Sequence, residues 1–305
     1  MLPVKILLTG ESGQLARELL LELAGDAELI ALGRSGMDLA QPSRIRQTVR
    51  RLRPDLIINS AAYTAVDQAE HEQAKAFAIN GTAPGVLAEE ADRLGAPLLH
   101  FSTDYVFDGK KAEPYTELDA PQPLSVYGAS KLAGEQAIQA IGGQHLILRT
   151  SWVYSRHGRN FLLTMQRLLQ ERRTLEVVND ERGAPTWAGH LAQATAALVR
   201  RWLNDGRFPT GLYHLTASGE TSWHGFAQAI ATHLHAEGRL RATLSPIASH
   251  DYPTPANRPA NSRLSCVRLE RDWGVRLPNW EAGLSECLAN ASAIDAGALA
   301  ISRSA

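Results

Sequence analysis

Apolar residues run through the first half of the chain in two alternating rhythms. Short unbroken runs stand at 4–9 (VKILLT), 28–32 (ELIAL), 55–59 (DLIIN), 97–102 (PLLHFS) and 145–149 (HLILR). Runs of that length, apolar throughout, suit strands covered on both faces. Between them apolar residues recur in steps of three and four: Leu15, Leu19, Leu20 and Leu23, then Ile45, Val49 and Leu52, then Val86, Leu87 and Leu94. That spacing places them on one side of a helix. A further helix is expected over about 129–140. Strand and helix in alternation predict an α/β fold: a doubly wound parallel sheet of the Rossmann type, with right-handed crossovers and helices on both faces.

After about residue 150 the rhythm changes. A helix is expected near 161–171, a strand at 175–178, a helix carrying Leu191, Leu198 and Trp202, and a strand at 211–216. Beyond 220 come another helix, a short strand and the proline-rich stretch YPTPANRPANSRL at 252–264. Residues 1–150 are therefore expected to form the cofactor-binding core, with about 175–216 completing it. Residues of about 150–173 and 217–290 are expected to form a smaller C-terminal substrate-binding lobe. The small, weakly patterned residues 291–305 read as a loosely structured tail.

Composition narrows the classes. The 305 residues are 44% hydrophobic and 21% charged, which is ordinary globular content, and the formal net charge is −1. No basic stripe argues for nucleic acid, and no apolar segment approaches the length of a membrane span. The ten histidines have no metal-ligand spacing, and Cys266 and Cys287 read as reduced thiols. No signal peptide is recognisable, so a cytoplasmic protein is expected.

The first strand runs into G-E-S-G-Q-L-A at 10–16, which enters a helix. Gly10 and Gly13 would let the backbone approach a pyrophosphate at the helix N-terminus, where free N–H groups and the dipole favour an anion. The second strand ends Leu32-Gly33-Arg34-Ser35, with no acid at its tip. An acid there would bind a ribose hydroxyl. Arg34 and Ser35 suit a 2′-phosphate instead, so NADPH is expected, with NADH as the alternative. Asp38 and Leu39 are placed for the adenine edge, and NSAAYT at 59–64 offers small residues to line the cofactor. Asn80 reads either as support for the nicotinamide end or as a helix residue with a local hydrogen bond.

Chemistry concentrates in Y-G-A-S-K at 127–131. Tyr127 and Lys131 are four apart and share a helical face. A neighbouring ammonium would stabilise the phenolate and lower a pKa that is normally near 10, giving a general acid for a ketone. FSTDYVFDG at 101–109 follows the fourth strand, where sites of open α/β sheets collect, and Thr103 can bond an oxygen becoming an alkoxide.

These strings, with AAYTAVDQAE at 61–70, RTSWVY at 149–154, GAPT at 183–186 and RPANSRL at 258–264, resemble the extended short-chain dehydrogenase/reductase family over nearly the whole chain. Within it they are most similar to the reductases of 4-keto nucleotide sugars. The resemblance implies reduction of dTDP-4-dehydro-L-rhamnose to dTDP-L-rhamnose, for surface polysaccharide. It implies that Gly13, Gln14 and Leu15 contact the pyrophosphate and that Asp38, Leu39, Ala62, Tyr63 and Thr64 line the cofactor. Thr103 and Asp104 would contact the sugar, Tyr127 would donate the proton and Lys131 would assist it. Trp152 would face the sugar or nucleotide, and Arg258, Asn261 and Ser262 the diphosphate or nucleotide. Related dehydratases carry a glutamate where this chain has Tyr105, and epimerases usually lack the acid found here as Asp104. A non-catalytic reading, after the regulatory subunit of methionine adenosyltransferase, is opposed by the intact Thr103, Tyr127 and Lys131. Some family members dimerise through magnesium bound by glutamates. Glu18 and Glu281 stand at matching positions, but Trp187-Ala188-Gly189-His190 lacks the third glutamate, which argues against a metal bridge and leaves a homodimer open.

Overall fold

The computed structural model describes residues 3–289. Its centre is a six-stranded parallel sheet. Five strands come from the first half of the chain: β1 (Lys5–Thr9), β2 (Glu28–Leu32), β3 (Leu56–Asn59), β4 (Leu98–Thr103) and β5 (His145–Thr150). The sixth is Gly211–His214, which pairs with β5 in parallel register, Gly211 opposite Leu146 and His214 opposite Arg149. Across the sheet the order is β2, β1, β3, β4, β5, then Gly211–His214. The chain builds β2 on one side of β1 and then crosses to β3 on the other. The C-terminal ends of β1 and β3 thus flank a topological switch point, where ligands of such sheets bind.

Alternation within each apolar run explains the two helical layers. Ile6 and Leu8 of β1 pack with Leu15, Leu19, Leu191 and Leu198 from the helices Gln14–Glu22 and Ala188–Asp205. Leu7, between them, packs on the opposite face with Ile45, Val49, Leu87 and Ile138 from the helices Pro42–Leu52, Ala83–Leu94 and Val126–Ile141.

The second lobe has its own core. The helices Phe161–Glu171 and Trp223–Ala236 bring Leu162, Met165, Phe226 and Ile230 together with Trp280, Leu284 and Leu288 of the helical segment 280–289. One expectation changes here. The strand at 174–178 does not complete the main sheet. It pairs in parallel with Thr243–Ile247, under the lobe's helices. Its alternating pattern, Leu175 and Val177 buried and Glu176 exposed, is that of a strand with one covered face, whereas the main sheet is covered on both. The tail expected at 291–305 lies outside the described residues.

Candidate active site

The glycine turn closes tightly. Gly10 lies at φ 80, and its N–H donates to the Leu32 carbonyl at 2.8 Å. A Cβ there would sit 3.0 Å from the Cα and Cβ of Ala61, so the left-handed backbone and the close approach of the 59–64 segment both require glycine. Gly13 caps the helix Gln14–Glu22, with no side chain satisfying the first N–H groups. Those donors face the switch point and fit a pyrophosphate. Gln14 uses its side chain elsewhere: it donates to the Val153 carbonyl at 3.1 Å and accepts from Asn160 at 3.2 Å, linking the turn to the second lobe. Leu15 is buried in the core, so only its backbone reaches the turn. Arg34 stands exposed after β2. Asp38 folds back to accept from the Ala40 N–H and from Gln41. Leu39 and Tyr63 are buried, Ala62 half-buried and Thr64 exposed. These residues fit a dinucleotide, with free donors at the phosphates and a basic residue near the adenosine end.

Asn80 makes more than a local hydrogen bond. It accepts from the Tyr63 N–H at 2.8 Å, donates to the Tyr63 carbonyl at 3.0 Å and to Ser130 Oγ at 3.0 Å. It therefore clamps the 59–64 segment to the helix that carries Tyr127.

That helix, Val126–Ile141, starts at Ser125, whose Oγ accepts from the Gly128 N–H at 3.2 Å. A Cβ on Gly128 would lie 2.1 Å from the Tyr105 carbonyl oxygen. Glycine at this position is what lets the helix approach the turn after β4 and brings Tyr127 to Thr103. Tyr127 meets Tyr105 edge-on, with ring centroids 5.4 Å apart. Burial pushes the Tyr127 hydroxyl up to about 12, with a hydrogen bond to Thr103 opposing and the Asp104 carboxylate adding to the rise. Thr103 Oγ1 donates to Asp104 at 3.0 Å. Burial lifts Asp104 from 3.8 to about 6, against hydrogen bonds with Ser262 and Thr103.

Lys131 departs from the expected arrangement. Its amine donates to the Phe101 carbonyl at 2.6 Å and lies 3.1 Å from His100 Nε2. Its own pKa is pushed down to about 8 by burial, with Glu135 opposing. The tyrosine pKa is therefore raised rather than lowered: burial dominates, and the ammonium is engaged by β4. The same site holds a buried ion pair, Arg149 to Glu135 at 2.8 and 2.6 Å, which Ser102 joins at 2.5 Å.

Tyr105 and residues of the second lobe line an open cleft of about 1360 Å³. Tyr105, Phe161, Glu181, Trp223, Tyr252 and Arg258 are among its lining residues. Trp152 lies flat on Trp223, with centroids 3.6 Å apart and planes 9° apart, and it adopts φ 49, a conformation rare outside glycine. Trp223 Nε1 donates to Glu181 at 2.9 Å. Arg258 pairs with Asp67 at 2.9 Å, and Asp67 also accepts from the Ala256 N–H, so a core helix holds the proline-rich loop.

Asn261 does not reach the cavity as a free group. It is buried, donates to the Lys111 and Glu113 carbonyls and accepts from Arg263, which spends its amide on the scaffold. Sequence reasoning missed His100, Asp67, Glu181 and Trp223. A histidine inside the apolar run PLLHFS was the one visible signal for His100.

The glutamates considered for a bridging metal stand in different surroundings. Glu18 is buried with Arg156 and His157 close enough to pull its raised pKa back. Glu281 is exposed, and it is Glu286 that meets His190, at 2.9 Å. Among the described residues no group of three or more His, Cys, Asp or Glu is arranged for a metal.

A glycine turn at the switch point, Thr103 buried and Tyr127 half-buried beside it, and a wide cleft lined by the second lobe define a Rossmann-fold oxidoreductase of the short-chain type. The RmlD substrate binding domain family matches residues 4–293, and the chain belongs to that family. It is 45% identical over 292 residues to a dTDP-4-dehydrorhamnose reductase of Burkholderia thailandensis, covering 93% of this chain and 98% of that one. A Sinorhizobium fredii protein of the same name is 46% identical, covering 91% and 94%. Among solved structures, the Bacillus anthracis dTDP-4-dehydrorhamnose reductase in complex with NADP superposes with a TM-score of 0.87 at 33% identity, covering 95% of this chain and 100% of that one.

Proposed function

We propose that the protein reduces the 4-keto group of dTDP-4-dehydro-L-rhamnose with NADPH, giving dTDP-L-rhamnose as the last step of that sugar nucleotide's synthesis. The observation that carries this reading is Tyr127. It is half-buried, hydrogen-bonded to Thr103 and edge-on to Tyr105, which lines the cleft of about 1360 Å³. The names of the relatives supply the substrate. The free cysteines Cys266 and Cys287 agree with work in the cytoplasm.

When bound, the cofactor supplies the hydride. The residues supply the rest. Thr103 and Asp104 position the sugar. As negative charge grows on the 4-oxygen, Thr103 donates a hydrogen bond and Tyr127 transfers its proton there. A hydroxyl raised to about 12 stays protonated over the working pH range and so is ready as an acid. The Lys131 ammonium favours the phenolate as it forms. Arg258 and the stacked Trp152 and Trp223 hold the nucleotide end.

The test is a panel of 4-keto nucleotide sugars assayed with NADPH and NADH. NADPH consumption with dTDP-4-dehydro-L-rhamnose, and the weaker use of other sugars, is expected. Cofactor binding without any turnover would replace catalysis by a binding role.

A further inference from the structure

The ends of β1, β3 and β4 carry a chain of buried polar groups that leads to Lys131. Thr9 Oγ1 accepts from the Ala61 N–H at 3.2 Å and lies 2.6 Å from Asn59 Oδ1. Asn59 Nδ2 lies 2.9 Å from His100 Nδ1, and His100 Nε2 lies 3.1 Å from the Lys131 amine. Thr9, Asn59, His100 and Lys131 are all buried. Imidazole and amide each have one side that donates and one that accepts, so the chain has a direction.

With the Asn59 amide nitrogen toward Nδ1, Nδ1 accepts and Nε2 carries the hydrogen. The lysine opposite it must then be a neutral amine that accepts. Turning the amide over reverses each donor. Nδ1–H then gives to the amide oxygen, and Nε2 accepts from an ammonium. Asn59 and His100 thus offer the lysine amine one hydrogen pattern for each protonation state, with the Thr9 hydroxyl giving up its bond to Asn59 Oδ1 when the amide turns.

We infer that His100, oriented by Asn59, is the positioning residue for Lys131, holding its amine in one place in both protonation states and favouring the ammonium. This rests on the role proposed above for Lys131. The ammonium is favoured because a charge-assisted hydrogen bond is the stronger of the two. The other ionisable groups around Lys131 do not replace His100. Glu135, one turn along its own helix, also favours the ammonium, but its hydrogen bonds go to Arg149 of β5 and Ser102, not to the lysine amine. Tyr127 on the same helix and Asp104 after β4 are both kept toward their neutral forms by burial. β1 and β3 contribute Thr9 and Asn59, which do not ionise.

The test follows Lys131 directly, by NMR titration of cofactor-free protein labelled at the lysine side chains, with Lys131→Met to assign the signal. His100→Leu is expected to lower the midpoint by about one pH unit, the scale of one charge-assisted bond. His100→Gln, whose amide can present oxygen or nitrogen to the amine, is expected to keep the parent midpoint. An unmoved midpoint in His100→Leu, or an equal fall in His100→Gln, overturns the inference. If His100→Leu does not fold, Asn59→Ala carries the test, with a fall expected and an unmoved midpoint overturning it. Turnover of Lys131→Met separates the two readings: full activity refutes the catalytic role of Lys131, while the titration alone judges His100.

Discussion

Asp104 should weaken the fold at neutral pH relative to mild acid, and replacing it should reveal by how much. Its carboxyl titrates at about 6 in the folded protein against 3.8 in its ordinary state, because burial outweighs the hydrogen bonds with Ser262 and Thr103. The folded chain therefore holds the proton more tightly than the unfolded one. Below 3.8 both states are protonated and nothing is lost. Stability falls as the pH rises from 3.8 to about 6, and above that the deficit stays constant. A shift of about two units corresponds to a ceiling of about 3 kcal/mol. Asp104→Asn keeps the shape and removes the ionisation. Any change in hydrogen bonding that it brings is independent of pH, and all other titrations cancel between the two proteins. Urea unfolding followed by tryptophan fluorescence measures the difference. Relative to the parent, the variant should gain about 2 kcal/mol between about pH 4.5 and about pH 8. A difference that does not change with pH, or that moves against the variant as pH rises, would refute this account of the site. Activity should move the other way, with a higher KM for the sugar nucleotide.

Three further outcomes test the rest of the architecture. Tyr127→Phe should lower kcat at least roughly a hundredfold, the usual scale for a lost general acid, while NADPH binding followed by fluorescence stays near the parent value. A near-normal kcat would remove Tyr127 as the proton donor. Arg34→Ala should weaken NADPH more than NADH in direct binding measurements, and equal losses would sink the 2′-phosphate assignment. Glu135→Leu should destabilise the protein by about 3–5 kcal/mol in urea unfolding, because the buried Arg149 then has no carboxylate. A loss near zero would show that Arg149 finds another partner.

The sheet was legible in the sequence because both faces are covered, which leaves nearly unbroken apolar runs. The strand at 174–178 was misplaced because periodicity tells how a strand is covered, not which strand it will pair with. Gly10 and Tyr127 were legible because their chemistry is local. A turn at φ 80 needs glycine, and a tyrosine four residues from a lysine shares its helical face. The charges around them were not. The direction of the Tyr127 shift depends on burial and on where the Lys131 amine turns, and both are set by β4, remote in sequence. Asn261 was misread for a similar reason: a polar residue in a loop beside an arginine looks free until the carbonyls of Lys111 and Glu113 arrive from far along the chain.

The late strand Gly211–His214 bears on how the protein is made. During synthesis the whole glycine turn and the Tyr127 helix leave the ribosome while β5 still has one bare edge, an open template for another strand. That edge closes only after the chain has built part of the second lobe and returned to the sheet. A nascent chain stalled near residue 150 would carry the glycine turn and Tyr127 and yet be the species most prone to aggregate. An expression fragment cut there should share that fate, whereas one extended past His214 has its sheet complete.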